Sequence, residues 1–465
     1  MCGMRKAGQE NGLLGARILI MRIEVPEKAE KIIDALQEHG YDAYVVGGCV
    51  RDSLLHRSPA DWDITTSATP EEVKKIFPRT VDTGIQHGTV TVLMDKEGFE
   101  VTTYRIDGEY EDGRHPKEVI FTPSLKEDLR RRDFTINAMA YNHRTGLVDI
   151  FGGVEDLKNK VVRCVGEPQE RFTEDALRIL RAVRFSAQLG FDIDERTQEA
   201  ARELAETLKK ISAERIQTEL VKLLVSPNPQ YLKKAWELGL TKVFLWEFDR
   251  AMETPQENPH HCYNVGEHTL KAMEAVKPDR LLRLTLLFHD LGKAETRTRD
   301  EKGRDHFYGH PAQSEKIART VLRRLRFDND TINKVGKLVY WHECPWEADP
   351  RSVRRALSKT GTELFPILLE VRRGDIMAQS SYHLGEKQQW LDKLGEIYQE
   401  IIRHKECVSI KDLAVSGKDL IDAGMKPGKE IGATLEKFLE IVLEEPEKNT
   451  KEYDRLDSLN LVILV

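Results

Sequence analysis

Residues 47–65 read GGCVRDSLLHRSPADWDIT, and the fold turns on this stretch. The apolar run before it, YVV at 44–46, predicts a strand that ends on Gly47–Gly48. Val50–Leu55 then predicts a helix, Ser58–Pro59 a turn, and Trp62–Thr65 a second strand that carries the Asp61/Asp63 pair. Glycines at a strand–helix turn let backbone N–H groups come close to a phosphate. Carboxylates two residues apart on a strand point the same way and can share a divalent ion. A DxD alone means little, because the chain repeats it at Asp192/Asp194 and Asp328/Asp330. The Gly-Gly turn and the Arg51–Asp52 pair upstream separate the first copy from the other two.

Working outward, residues 22–40 predict an amphipathic helix with Ile32, Ile33 and Leu36 on one face and Gly40 at its end. Thr69–Pro70 starts another helix, PEEVKKIF. GTVTVLM and FEVTTYR form a hairpin turning at 95–98, and Glu100 on its return strand is a candidate third carboxylate. This mixed α/β unit ends near Gly153. Nearly everything from Glu174 to about Leu245 has helical periodicity. Seven of the 14 histidines fall between His260 and His342, and 386–465 reads as helices with one Gly-rich turn, AGMKPGKEIG. The expected class is α+β. The expected domains are a structureless extension at 1–20, a catalytic head at 21–153, a helical unit at 154–255, a histidine-rich unit at 256–385 and a helical tail at 386–465.

Composition narrows the function classes. The 465 residues are 40% hydrophobic and 32% charged, and no apolar run approaches the ~20 residues of a membrane span. Residues 1–20 lack a signal-peptide core, and Met21 offers a second start. The six cysteines are scattered without a CxxC pair, which argues for a reducing cytoplasm and against a disulfide scaffold or zinc ribbon. A net charge of −7 gives no global basic field, so any polyanion must be met by local patches.

The 47–65 stretch resembles the head signature of class II tRNA nucleotidyltransferases and bacterial poly(A) polymerases, in the polymerase-β-like nucleotidyltransferase superfamily. RRDFTINAMAY (131–141), EDALRILRAVRF (174–185) and ISAERIQTELVKLL (211–224) match further blocks in order. The resemblance runs from about 22 to 240. It implies a mixed-sheet head with helices, then an all-α neck, body, HD domain and tail. It implies Mg²⁺ on Asp61 and Asp63, with Glu100, and nucleotide contacts from Gly48, Arg51 and Arg132. Asp133 would orient Arg132 or assist near the metals. The implied partners are the tRNA 3′ end, CTP and ATP.

The same resemblance assigns base reading to Asp175 and Arg178, with Arg181 and Arg184 supporting the nucleotide. The residues alone place Asp175 and Arg178 at i, i+3 of one helix, side by side. A solvated charged face over Leu177, Leu180 and Val183 is the ordinary alternative. Cytosine and adenine each offer an amino donor beside an unprotonated ring nitrogen, which suits a carboxylate and a guanidinium. Uracil and guanine reverse both groups, and each mismatch costs about 1–3 kcal/mol. Residues 104–121, YRIDGEYEDGRHPKEVIF, predict a loop with strand ends. In the family, an element here is needed to pass from C to A addition, so its presence favours complete CCA addition over a partial CC- or A-only enzyme. A poly(A) polymerase usually carries a basic tail, whereas 386–465 holds 12 Lys/Arg against 17 Asp/Glu. Gly424–Gly432 offers a helix start and two lysines to a tRNA phosphate.

A third constellation comprises EHTL (267–270), FHDLGK (288–293), FYGHPAQS (307–314), YWHECPW (340–346) and RRGDIMAQS (372–380). A His–Asp pair closing an apolar helix is costly to bury unless it coordinates something. The pattern resembles the HD phosphohydrolase superfamily, which implies His268, His289, Asp290 and Asp375 as ligands of one divalent transition metal or Mg²⁺. His310 and His342 would complete a second site or contact phosphate, and Lys293 lies one turn beyond the pair. An HD phosphohydrolase with an RNA-binding nucleotidyltransferase relic is the competing function of another class.

Overall fold

The computed structural model describes residues 17–19, 22–107 and 119–450, which divide into two units, 1–244 and 245–465. Most of the 104–121 loop, at 108–118, lies outside the described residues. No described helix is long and apolar enough to cross a membrane.

The first unit is built on an eight-stranded mixed sheet. Its strands are β1 (Arg17–Leu19), β2 (Ala43–Val46), β3 (Ile64–Thr66), β4 (Thr80–Gly84), β5 (Thr89–Met94) and β6 (Glu97–Thr103). Arg105–Asp107 (β7) and Val119–Phe121 (β8) pair as a separate ribbon, and β9 (Met139–Asn142) and β10 (Gly146–Asp149) complete the large sheet. Its order is β1-β10-β9-β2-β3-β6-β5-β4, with β3 and β6 parallel and the other pairs antiparallel. β2 and β3 lie at the centre, so the Gly47 turn and the DxD segment are adjacent in space. The β5–β6 turn is tighter than the expected 95–98: Asp95 and Lys96 both have positive φ, and Met94 already pairs with Glu97. Three residues of the expected extension, Arg17–Leu19, form an edge strand against β10.

One face of the sheet buries Tyr44, Val46, Ala138, Ala140 and Val148 with Tyr104, Leu125 and Leu129. The Glu27–Glu38 helix buries Ala29, Ile32, Ile33 and Leu36, the stripe expected from its spacing. Beyond the sheet, the Leu177–Leu189 helix packs on the Ala213–Leu224 helix. The second unit is mainly helical. One core joins Val353, Phe365 and Leu368 to Leu391, Leu394 and Ile401 of the Leu384–His404 helix. The core therefore continues across the 385/386 boundary expected from composition. The Gly-rich turn leads into the Lys429–Glu444 helix.

Candidate active site and a buried histidine cluster

The Asp61/Asp63 segment does not lie on the strand; it forms the irregular lead into β3, which begins at Ile64. Ladder pairing nevertheless starts there, because Val46 N–H donates to Asp63 C=O at 3.0 Å. Glu100 directly precedes Val101, the register partner of Ile64 on β6. The three expected carboxylates therefore converge. Partial desolvation, then the Asp61 charge and that of Glu100, push Asp63 up to about 6 against the pull of Arg132. The Asp63 side chain keeps solvent access, as a ligand for a bound ion must.

The turn beside it needs its glycine. Gly47 has φ +83°, and a Cβ there would stand 3.0 Å from Arg132 Nη1. Gly48 opens the short Gly48–Leu54 helix. Arg51 on that helix is held by both Asp52 oxygens, at 2.9 and 2.8 Å, and donates to Asn137 Oδ1 at 2.6 Å. Arg132 is held more loosely, 3.6 Å from the fully buried Asp128, and its buried Nε has no partner among the described residues. The Arg132 side chain nevertheless keeps 20% exposure, and its Nη1 borders the Gly-Gly turn, where it can meet an anionic ligand.

Asp133 corrects the expected role: it orients Arg181, not Arg132. Its Oδ2 accepts from Arg181 Nε at 2.8 Å and Nη2 at 2.7 Å, while its Oδ1 accepts from Phe134 N–H and the Asn137 amide. Burial works to raise the Asp133 pKa, but the Arg181 charge and the Asn137 hydrogen bond outweigh it and hold the group below the usual carboxylate range.

The base-reading pair also departs from expectation. Asp175 and Arg178 do not share a helix. Helix Pro168–Glu174 ends at Asp175, which has φ −143°, and a new helix begins at Leu177. The Asp175 carboxylate caps that second helix by accepting from Leu177 N–H at 3.0 Å. Arg215, from the Ala213–Leu224 helix, grips the same carboxylate at 2.7 and 3.2 Å. A carboxylate has about four acceptor positions. Arg215 takes one on each oxygen and Leu177 a second on Oδ1, which leaves one on Oδ2. Arg178 is held by Glu174 at 2.5 Å and by the carbonyls of Arg171 and Arg131 at 3.2 and 3.0 Å.

Arg181 keeps a third of its side chain exposed. Arg184 does not: its side chain is 8% exposed, bonded to Glu219 at 2.8 Å and Gln188 at 2.9 Å, and laid over the Phe185 ring at 3.6 Å. Arg184 braces the helix pair. Sequence reasoning gave no role to Arg215, Glu219 or Asn137. The i, i+4 spacing of Arg215 and Glu219 was the available signal, since it puts both on one face of their helix.

In the second unit, six buried groups meet from five helix ends or faces. His268 lies on the Val265–Glu274 helix. His289 ends the Arg280–Phe288 helix and Asp290 follows it. His310 opens the His310–Arg324 helix, His342 ends the Asn329–Trp341 helix, and Asp375 lies on the Phe365–Ala378 helix. The donor atoms fall into two sets, His268–His289–Asp375 and Asp290–His310–His342. Burial pushes His289 down to about 4. All four ligands expected for one ion are therefore close together, with His310 and His342 alongside. Their N and O donors suit a divalent transition ion.

Comparison with known proteins agrees with this fold. The Poly A polymerase head domain model matches residues 43–163, the RNA and SrmB- binding site of polymerase A model matches 190–252, and the tRNA nucleotidyltransferase domain 2 model matches 308–453. The CCA-adding enzyme of Lactobacillus helveticus is 54% identical over 201 residues, 43% of this chain and 50% of that protein. That of Enterococcus faecalis is 34% identical over 427 residues, 92% of this chain and 94% of the relative. The crystal structure of the Bacillus stearothermophilus CCA-adding enzyme in complex with CTP, 32% identical, aligns over 95% of this chain and 99% of its own with a TM-score of 0.73. The chain belongs to the class II CCA-adding enzyme family and is a nucleotidyltransferase.

Proposed function

We infer that this chain adds C, C and A to the 3′ end of tRNA from CTP and ATP, without a nucleic-acid template, releasing pyrophosphate at each step. The observation that carries this reading is the convergence of Asp61, Asp63 and Glu100 beside Arg132, whose guanidinium is partly exposed next to the Gly47 turn. Desolvation, with repulsion from Asp61 and Glu100, raises Asp63, and such a carboxylate cluster fits a divalent cation: Asp61 and Asp63, with Glu100, would hold Mg²⁺. When bound, Mg²⁺ supplies charge neutralisation at the α-phosphate and the departing pyrophosphate. Gly48, Arg51 and Arg132 receive the triphosphate. Asp175 accepts from the amino group of cytosine or adenine through its remaining Oδ2 position, and Arg178 donates to the ring nitrogen beside it. Arg181, kept in place by Asp133, lies one helical turn beyond Arg178 and supports the nucleotide. The tRNA 3′-oxygen forms the new bond to the α-phosphorus, the bond to pyrophosphate breaks, and the hydroxyl proton is lost through the carboxylate cluster to water.

The test uses tRNA lacking its last three nucleotides with each labelled NTP in turn. Incorporation of C from CTP, then of a single A once C is in place, supports the reading. A ladder of A indicates a poly(A) polymerase, a product stopping at CC a partial enzyme, and absence of incorporation a relic. A second reading applies to residues 245–465. There His268, His289, Asp290 and Asp375 hold a divalent metal ion in an HD-type centre; burial of all four beside one another supports it.

A further inference from the structure

Asp128 touches no substrate in this account, yet it is a charged group with no solvent exposure. It lies on the Leu125–Arg130 helix, between β8 and the RRD segment at 131–133. A buried carboxylate is costly unless its oxygens are answered. Oδ1 accepts from Arg131 Nε at 3.0 Å and Nη2 at 2.7 Å. Oδ2 accepts from the Thr65 hydroxyl at 3.1 Å and faces Arg132 Nη2 at 3.6 Å. Burial works to raise the Asp128 pKa, but the Arg131 and Arg132 charges outweigh it and hold the group below the usual carboxylate range.

The two oxygens serve different halves of the site. On the Oδ1 side, Arg131 caps the C-terminus of the Asp128 helix, and its carbonyl accepts from Arg178 Nη2 at 3.0 Å. The guanidinium that Asp128 holds and the carbonyl that Arg178 uses belong to one residue, so pinning the first restricts the second. Glu174 and the Arg171 carbonyl hold Arg178 from the preceding helix, whereas Arg131 holds it from the RRD segment. On the Oδ2 side, Thr65 stands on β3 two residues beyond Asp63, and its register partner Thr102 on β6 is two beyond Glu100. Arg132, on the same side, borders the Gly47 turn.

We propose that Asp128 is a positioning residue that couples the base reader to the triphosphate and metal groups. Through Oδ1 and Arg131 it sets the angle at which Arg178 meets a base; through Oδ2 it seats Arg132 and the strand that follows Asp63. The proposal rests on the reading of this site as a nucleotidyltransferase centre with Arg178 on the base and Arg132 on the triphosphate. The two arms separate chemically. An asparagine amide at 128 can answer Arg131 with its oxygen while its nitrogen donates to the Thr65 hydroxyl, whose own proton then goes to Thr102 C=O, 3.3 Å away. What asparagine cannot supply is the negative charge that faces Arg132. Loss of that charge acts on triphosphate binding, which every nucleotide shares. Loss of the Arg131 guanidinium acts on the carbonyl behind Arg178, and so on the choice of base.

The test measures single-nucleotide incorporation by the full chain. CTP and UTP are compared on tRNA lacking its last three nucleotides, and ATP and GTP on tRNA ending in CC. Asp128→Asn should raise KM for CTP and ATP by about fivefold, the effect of one partly exposed ion pair, and keep the preference for C over U and A over G. Arg131→Met leaves the Asp128 charge short of a partner, so Arg131→Met/Asp128→Asn, in which both are neutral, is run beside it with circular dichroism as the check on folding. The double variant should add to the raised KM a preference narrowed by about tenfold, the effect of one hydrogen bond from a charged group. Arg131→Lys, which keeps the charge and one contact, should lose less of the preference. An unchanged KM in Asp128→Asn overturns the Oδ2 arm, and a wild-type preference in the double variant overturns the Oδ1 arm. A fall in kcat alone, equal for all four nucleotides in every variant, marks Asp128 as merely structural and overturns the coupling. Incorporation of nothing by the wild-type chain overturns the nucleotidyltransferase reading beneath the proposal, which none of the variant results does.

Discussion

Arg215 touches no substrate in this account, yet its removal should damage both speed and base choice. Its guanidinium clamps Asp175 through two hydrogen bonds, at 2.7 and 3.2 Å, with side-chain exposures of 21% and 16%. Exposed ion pairs contribute ~0–1 kcal/mol, and breaking a buried one costs about 3–5 kcal/mol. A half-buried bidentate pair falls between, at about 1.5–3 kcal/mol, or roughly 10- to 100-fold in kcat/KM. Arg215→Ala should lower kcat/KM for CTP and ATP by that factor and narrow their advantage over UTP and GTP, because a freed Asp175 can rotate. Arg215→Lys, with one contact in place of two, should recover part of the loss. The assay is single-nucleotide incorporation on tRNA ending before C, C and A, run as a cycle with Asp175→Ala. If Arg215 acts through Asp175, its removal costs little more in the Asp175→Ala background. Fully additive losses, or an unchanged selectivity in Arg215→Ala, would refute the reasoning.

Asp63→Asn should abolish incorporation yet raise Tm at pH 7, since it removes a carboxylate repelled by Asp61 and Glu100; a lower Tm in a thermal scan would contradict that repulsion. Asp63 must be ionised to hold Mg²⁺, so Mg²⁺ affinity should weaken by about tenfold per pH unit below about 6. Titrating incorporation against Mg²⁺ at pH 5 and pH 7 checks this, and equal half-saturation would contradict it. Arg184→Met leaves Glu219 buried beside an apolar chain and should cost about 2–4 kcal/mol of stability in urea unfolding. A raised KM for CTP with normal stability would instead return Arg184 to the nucleotide. Asp290→Ala should leave C and A addition largely intact, and a collapse of addition with the fold preserved would contradict separate sites.

The residue types of the head site were legible because they lie in short windows: GGCVRD and DWD are close in the chain, and the β2–β3 pairing keeps them close in space. What the sequence hid depends on partners far along the chain. Arg184 reads as one more charge on a helix face, until Glu219, 35 residues away, takes it into the interior. EDALRILRA reads as one helical run, yet the chain breaks at Asp175, a poor helix former and good cap, whose carboxylate accepts from Leu177 N–H and meets Arg215. Likewise the order of His and Asp in the second unit picked out the residues that cluster. It could not sort them into one set with Asp375 and another with Asp290, since that depends on helices as far apart in sequence as those of His268 and Asp375.

Diffraction from crystals of the chain soaked in CTP tests the base-reading pair most directly. The account predicts cytosine N4 within hydrogen-bond distance of Asp175 Oδ2 and the ring edge against Arg178, with Arg215 still on the carboxylate. Cytosine bound elsewhere, with the Asp175–Arg215 pair undisturbed and Arg178 still on Glu174, would contradict it.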